Sequence, residues 1–507
     1  MAAYCLAAPA AATPAKPALL VFDDPAREPA ETWSFAALED SVSRVAAALG
    51  ERGLGRSDRV MIRLENTSAY ALLFFGAIAG GYVPIPVSSQ LTGEEAAFLA
   101  TDSGARLLLI DERLPMGQLP AGIDVMTADA AVAMLSHPRR AGYARTRAGE
   151  PAFLIYTSGT TARPKGVLHA HRSAWGRRPM YQGWYGIGAA DRVLHAGAFN
   201  WTFTLGTGLT DPWANGATAI VYTGPRAPDV WPRLIGAAEA TIFAAVPGLV
   251  RQIVKYGEAA RLAALPSLRH ALIAGETPPE GLFEGWRGAS GTELYEALGM
   301  SEISTYVSSS PTVPRRPGTV GRVQAGRRVV ILAEAGGTEP LPPGEAGLLA
   351  VHRSDPGLML GYWQRPVEEA EVMRGDWFAG GDLASMDDDG YVTHFGRAND
   401  LMNAMGYRVS PLEVEAVLAG HPAVAEAACA EIAAGPGIRI VAAFVVPRDG
   451  ARCEPDDVGA HAAAHLAAYK RPRAVRIVPE LPRTSNGKVQ RSRLQALWDG
   501  DGGGPDV

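Results

Sequence analysis

The chain has 507 residues, 47% of them apolar and 20% charged, with a net charge of −6. That length exceeds one ordinary hydrophobic core, so two or more domains are expected, and an acidic balance with no basic block argues against nucleic acid as a partner. Cys5, Cys429 and Cys453 form no C-x-x-C pair, which fits a reducing cytoplasm rather than a disulfide framework or a metal site. No uninterrupted apolar run reaches the roughly 18 residues of a membrane span.

Met1 to Pro17 is rich in alanine, holds Pro9, Pro14 and Lys16, and lacks a cationic n-region, so it reads as a loose tail rather than a signal peptide. Ser34 to Leu49 has helical spacing behind a serine cap, and Gly53 and Gly55 punctuate its end. Ala152-Phe153-Leu154-Ile155 reads as a buried strand. The loop that follows, Tyr156 to Gly166, gathers four Ser/Thr hydroxyls, two glycines and two cations. Backbone N–H groups, hydroxyls and an ammonium in that density suit a polyphosphate, although no G-x-x-x-x-G-K-[ST] of the Walker type can be drawn through it. Thr218 to Tyr222, Thr241 to Val246 and Ala271 to Ala274 read as further buried strands, each followed by Gly or Pro, so that loops gather at strand ends where α/β folds place ligands. From Gly318 to Phe395 short strands and tight turns predict a β-rich subdomain. A compact α+β unit follows: Ser410, Pro411 and Glu413 spell a capping box, Gly420 ends that helix, Ile440 to Val446 is a strand candidate, and a helix lies near Val458 to Leu466. Asp499 to Val507 reads as a frayed end. A domain boundary near Asn399 divides the chain into 1–398 and 399–507.

Five more segments accompany the phosphate loop in order: Tyr295 to Glu302, Gly380-Gly381-Asp382-Leu383, Gly396 to Asp400, Gly406 to Glu415, and Pro482 to Lys488. Together they resemble the adenylate-forming superfamily over residues 18 to 495, with acetyl-CoA and medium-chain acyl-CoA synthetases as the nearest likeness. Val167-Leu168-His169-Ala170-His171, the spacing of Trp201 from Pro212, and Tyr469-Lys470-Arg471-Pro472 carry that narrower likeness. The resemblance implies an α/β protein: a large N-terminal domain of two α/β subdomains plus a β-rich one, and a small mobile α+β C-terminal domain turning about a hinge at Asn399. It implies an ATP-dependent acid–thiol ligase that makes an acyl-adenylate, expels pyrophosphate and passes the acyl group to coenzyme A. Delivery to a carrier-protein thiol is the alternative, and a non-catalytic nucleotide or acyl sensor is a third reading.

By that resemblance, Thr157, Ser158, Gly159, Thr160, Thr161 and Lys165 cradle the β- and γ-phosphates and Glu302 holds Mg²⁺. Gly275, Glu276, Glu296, Ala297, Leu298, Gly299, Met300 and Ser301 line the adenine and α-phosphate side. Asp382 and Arg397 bind ribose, Arg408 contacts the nucleotide, and Lys488 bridges the substrate carboxylate and ATP. Met405, Gly406 and Tyr407 border the pantetheine tunnel, with Tyr469, Lys470 and Arg471 contacting CoA. A lysine acyltransferase or deacylase acting on Lys488 is an implied partner. Taken singly, each has a structural reading: Asp382 as a turn residue, Lys488 as a solvated cation, Glu302 as a helix cap, and His169 and His195 as satisfied structural residues. Departures from the pattern are Ala162 for Gly in the loop, Leu298 for the aromatic that stacks on adenine, Asn399 for Asp at the hinge, and Gly437 where a CoA-contacting Arg is expected, with Arg439 two residues on. Phe199, Asn200, Trp201, Phe203 and Gly299 are the candidate acid pocket. Gly299 stands where acetate-specific relatives carry Trp, and an indole, like other aromatics, would cover roughly 150–250 Å², so an acid larger than acetate is expected, either medium-chain or aryl.

Overall fold

The computed structural model describes residues 1–157, 164–256, 262–404, 407–435, 438–483 and 489–499. The apolar runs form the strands Thr218–Tyr222, Ile242–Ala245 and His270–Ala274. With Pro17–Phe22, Arg192–His195 and Glu293–Met300 they make a parallel array. Burial on both faces is why Thr218–Tyr222, Ile242–Ala245 and His270–Ala274 read as near-continuous apolar runs rather than alternating. The Glu293–Met300 strand then pairs antiparallel with Ser304–Ser308, and the same sheet continues through Gly321–Val323, Tyr391–Arg397, Trp377–Met386, Gly347–His352 and Val329–Leu332. The β-rich stretch is therefore present, and its strands extend the parallel array edge to edge.

A second α/β layer holds the four-stranded parallel sheet of Arg59–Arg63, Val83–Pro86, Leu107–Ile110 and Asp124–Thr127. The helix expected behind Ser34 runs Phe35–Glu51, and Ser34 Oγ accepts from the Ala37 N–H at 3.2 Å. Phe35, Leu38, Val42, Val45 and Leu49 bury its apolar face at helical spacing.

Two expectations need correction. The N-terminal stretch is no loose tail: Ala2–Ala12 is a helix whose Cys5 and Leu6 side chains are fully buried in the main core. The alanine content that looked like a featureless tail is strong helix propensity, and burial holds the helix through Pro9. At Ser410 only half of the capping box forms. Ser410 Oγ accepts from the Glu413 N–H at 3.4 Å, but the Glu413 carboxylate accepts from Lys470 instead of reaching back.

The C-terminal unit has its own core, with Met402, Val414, Leu418, Val424, Cys429 and Val441 packed together. The strand over 440–446 is part of Ile438–Pro447, which pairs antiparallel with Val424–Gly435 and parallel with Ala474–Ile477. Among the described residues, no helix is long and apolar enough to cross a membrane.

Candidate active site

The carboxyl ends of the parallel strands open into a cleft of about 350 Å³. Gly275 follows the His270–Ala274 strand with φ of 108°, a conformation glycine adopts without strain. Gly275 and Glu276 line one wall, and Glu296 to Gly299, at the end of the neighbouring strand, line the next. Asp382 and Arg397 close the floor, while Leu412, Glu415, Glu426, Arg483, Val489 and Arg491 cover the cleft from the C-terminal side. Residues more than 100 positions apart in sequence thus face one space at a strand-end crevice, where α/β sheets bind ligands.

Asp382 and Arg397 are cross-strand partners in the antiparallel part of the sheet. The Asp382 side chain is buried, and its Oδ1 takes Arg397 Nε at 3.1 Å and His394 Nε2 at 3.3 Å. Arg397 also donates to the Gly380 carbonyl. One carboxylate oxygen is thereby held by the Arg397 guanidinium and the His394 ring beside the cleft.

Glu302 lies just past the strand end. Tyr362 donates its hydroxyl to Glu302 Oε1 at 2.7 Å, and Lys165 Nζ sits 5.5 Å from the Tyr362 ring centre. Thr157 and Lys165 face each other across the Pro151–Thr157 and Lys165–Ala170 strands, so the residues flanking 158–163 stand together, with Lys165 beside the Tyr362–Glu302 pair. His169 Nε2 hydrogen-bonds the Ser301 carbonyl at 2.8 Å while its ring stacks on Phe153 at 4.6 Å. Burial pushes the His169 imidazole down to about 4, so it is neutral near pH 7 and its Nε2–H donates to that carbonyl.

Two glutamates give the cleft its local electrostatics. Burial pushes the Glu296 carboxyl up to about 8, against a smaller opposing pull from Arg315. Glu276 Oε1 accepts from the Gly248 N–H at 3.0 Å.

The acid-pocket candidates divide. Phe199 is buried in the core against Tyr70, at 5.6 Å between ring centres, which takes it off a pocket wall. Trp201 is the N-cap of the short Thr202–Leu205 helix, and Asn200 precedes it in the loop. Phe203 sits between Trp184, stacked at 5.7 Å, and His195, edge-on at 4.4 Å. His195 is buried, with its pKa pushed down to about 3, and its Nδ1 accepts from the Gly197 N–H at 2.9 Å. At Gly299 the reasoning from a missing indole fails on geometry. A Cβ there would meet the Ser304 carbonyl oxygen at 2.4 Å and Thr305 Cα at 2.7 Å, so the glycine is required by the backbone of the next strand. The strand bulges between Leu298 and Gly299, and Ser304 has φ of 76°, which brings the chains this close.

On the C-terminal side, Met402–Ala404 and Tyr407–Val409 form a two-stranded hairpin that contains Tyr407 and Arg408. Lys470 is paired with Glu413, Arg471 Nε donates to the Leu466 carbonyl at 2.9 Å, and Tyr469 packs on the C-terminal core. Arg439 pairs with Glu431 on a strand. Ser158, Gly159, Thr160, Thr161, Ala162, Met405, Gly406, Gly437 and Lys488 lie outside the described residues. Sequence reasoning missed His394, Tyr362, Trp184, Glu426 and the Glu415–Arg491 pair, whose Arg491 Nη2 stands 2.7 Å from Glu415 Oε2. Glu415 closes the Gly406 to Glu415 segment without a role having been read for it, the others sit in none of the motif segments read from the sequence, and Tyr362 meets Glu302 across 60 positions of sequence.

Residues 6–363 match the profile of the family described as AMP-binding enzyme, and 413–488 match its C-terminal domain. The chain belongs to the AMP-binding enzyme family. Within it, the chain is 31% identical to a 3-hydroxybenzoate–CoA ligase of Aromatoleum sp. (strain CIB), over 92% of each chain. It is 30% identical to the mitochondrial acyl-coenzyme A synthetase ACSM5 of Homo sapiens, over 92% of this chain and 84% of that one. Among solved structures it is similar to a benzoate CoA ligase from Burkholderia xenovorans LB400, with a TM-score of 0.86 at 26% identity over 97% of this chain and 99% of that one. The AMP-binding profile runs through the N-terminal helix, the phosphate loop and Glu302, and the C-terminal profile ends at Lys488.

Proposed function

We propose that the protein is an acyl-CoA synthetase that activates an aryl or medium-chain carboxylic acid with ATP and ligates it to coenzyme A. In the first step a carboxylate oxygen attacks the α-phosphorus of ATP, the bond to the β-phosphate breaks, and acyl-AMP and pyrophosphate form. In the second the CoA thiol loses its proton, its sulfur attacks the acyl carbon, and AMP leaves with the electron pair of the broken acyl–phosphate anhydride bond. The observation that supports this reading best is the convergence of Gly275, Glu296 to Gly299, Asp382 and Arg397 with the segments flanking Lys488 on one cleft.

In this assignment the ribose hydroxyls donate to Asp382, whose position Arg397 and His394 hold. Glu276, Glu296 and Leu298 face the base, and Thr157 to Lys165 take the β- and γ-phosphates. One carboxylate suits a magnesium ion that takes its other ligands from phosphates and water, and Glu302, with Tyr362 on one oxygen, offers that. When bound, the ion would neutralise charge on the phosphates. Lys488 would neutralise the two anions that meet in the first step, the kind of electrostatic help that dominates such transfers. Residues 1–398 form the adenylating part, and 399–507 turn about Asn399 between the steps, bringing Gly406 to the thiol path. Tyr469 to Arg471 would meet CoA, although Lys470 and Arg471 must first leave their internal partners. Free cysteines at 5, 429 and 453 fit a cytoplasmic setting, and Lys488 is also the residue a protein acyltransferase would modify.

The half-buried Phe203 ring, edge-on to His195 and backed by the buried Trp184, favours an aryl acid. Acid-dependent ATP–pyrophosphate exchange and CoA-dependent AMP release, measured with acetate, butyrate, hexanoate, benzoate, 3-hydroxybenzoate and phenylacetate, test this. The highest kcat/KM is expected with an aromatic acid and the lowest with acetate. A preference for acetate would overturn the assignment, as would adenylation that releases AMP only when a carrier protein is added.

A further inference from the structure

Across the rim of the cleft, charged side chains from distant parts of the chain form a relay between the two domains. On the N-terminal side the helix Pro247–Tyr256 presents Arg251, whose Nη2 lies 2.9 Å from Glu426 Oε1 on the C-terminal side. The other oxygen of Glu426 takes Arg483 Nη2. Arg483 Nη1 in turn lies 3.8 Å from Oε2 of Glu276 in the nucleotide wall, and Glu276 is itself held by the Gly248 N–H at the start of the same helix. A further pair, Lys255 with Asp449, joins that helix to the C-terminal domain one turn on. Glu426 is thus gripped by a guanidinium from each domain, and Arg483 stands between a carboxylate from each.

What the relay grips is the base of the segment that carries Lys488. Arg483 and Val489 bridge each other as antiparallel partners, and the Gln490 N–H donates to the Pro482 carbonyl at 2.8 Å. The Arg251, Glu426, Arg483 and Glu276 side chains are between 22% and 30% exposed. Partial desolvation makes these pairs count for more than fully solvated ones, which contribute little, while enough exposure remains for a substitution to leave each domain folded. The base of the segment also keeps its backbone bridge without the relay.

We propose that Arg251, Glu426 and Arg483 are positioning residues for adenylation, locking the C-terminal domain in the orientation that sets Arg483 and Val489, the residues flanking the Lys488 segment, on the cleft beside Glu276. This rests on the two-step reaction proposed above. The Arg251–Glu426 and Arg483–Glu276 contacts both cross the domain boundary, so both must break when the C-terminal domain turns for the thiol step. An interaction made in only one of two states biases the equilibrium between them by its own free energy. Weakening the relay therefore slows the first step and spares the second, a split that simple loss of stability would not produce.

Glu426→Gln and Arg251→Gln in the full chain test it, with the best acid of the wild-type protein. Exchange between ATP and pyrophosphate should fall by roughly 5- to 30-fold, the factor that one or two kcal/mol represents, while thioester formation from supplied acyl-adenylate keeps its rate. Arg251→Lys should restore most of the exchange, and added salt should lower the wild-type rate toward that of the variants. Equal losses in both half-reactions, or no loss in either, would overturn the relay. Exchange absent from the wild-type protein with every acid would instead overturn the proposed reaction. Domain orientation, read by X-ray scattering without turnover, decides the relay even then: the variants should show a larger radius of gyration, and an unchanged profile refutes it.

Discussion

Glu296 shows how one buried acid writes a pH signature on the whole protein. Its carboxyl is pushed up from 4.5 to about 8 because burial disfavours the charged form. Between those values the folded chain holds a proton that the unfolded chain has released, so stability declines as pH rises through that window and levels off above it. The direction is opposite to that of a salt-bridged carboxylate. Glu296→Gln keeps the shape of the neutral form and removes the titration. Its melting temperature should match that of the wild-type protein near about pH 5 and exceed it near about pH 9, where the wild-type side chain must be buried charged. Melting curves for both proteins across that range check this, and curves that stay parallel would show that Glu296 titrates as an exposed acid does.

Gly299 belongs to the scale of the element, because what it serves is the bulged pairing of two strands. Gly299→Ala places a Cβ against the Ser304 carbonyl and the Thr305 backbone, which no rotamer change relieves. The expected result is a lower melting temperature and a proportional drop in kcat/KM for every acid, since the bulge leads directly into Ser301 and Glu302. A selective shift toward acetate would instead restore the idea that this position gauges the size of the acid. The same contrast marks what the sequence could and could not disclose. Features with dense local chemistry, such as the Ser34 and Ser410 caps, were legible because a few consecutive residues decide them. The N-terminal helix and the Val424–Gly435 strand were not, because alanine-rich segments carry little periodicity and their state is decided by what they pack against. His394, Tyr362 and Glu426 escaped for a related reason: each acts on a residue brought close only by the sheet or by the domain contact.

At the scale of the molecule, the decisive arrangement is that the C-terminal domain covers the cleft of Asp382 and Arg397 with the flanks of Lys488. Arg483 and Val489 line the same space as Asp382 and Arg397, and Lys488 is the next residue in the chain before Val489. In the proposed reaction the Lys488 ammonium would offset repulsion between a carboxylate and a triphosphate, which exists only in the first half-reaction. Lys488→Ala should therefore lower acid-dependent exchange by roughly 10²- to 10³-fold, the range seen when one preorganised charge-stabilising donor is removed. Thioester formation from supplied acyl-adenylate should be nearly unaffected, because in the proposed reaction that step begins after pyrophosphate has left and with the C-terminal domain turned. Measuring both half-reactions on one preparation separates the cases. Equal losses would mean that Lys488 serves the fold of the cleft or both chemistries at once, and the division of labour between the two domain orientations would fall with it.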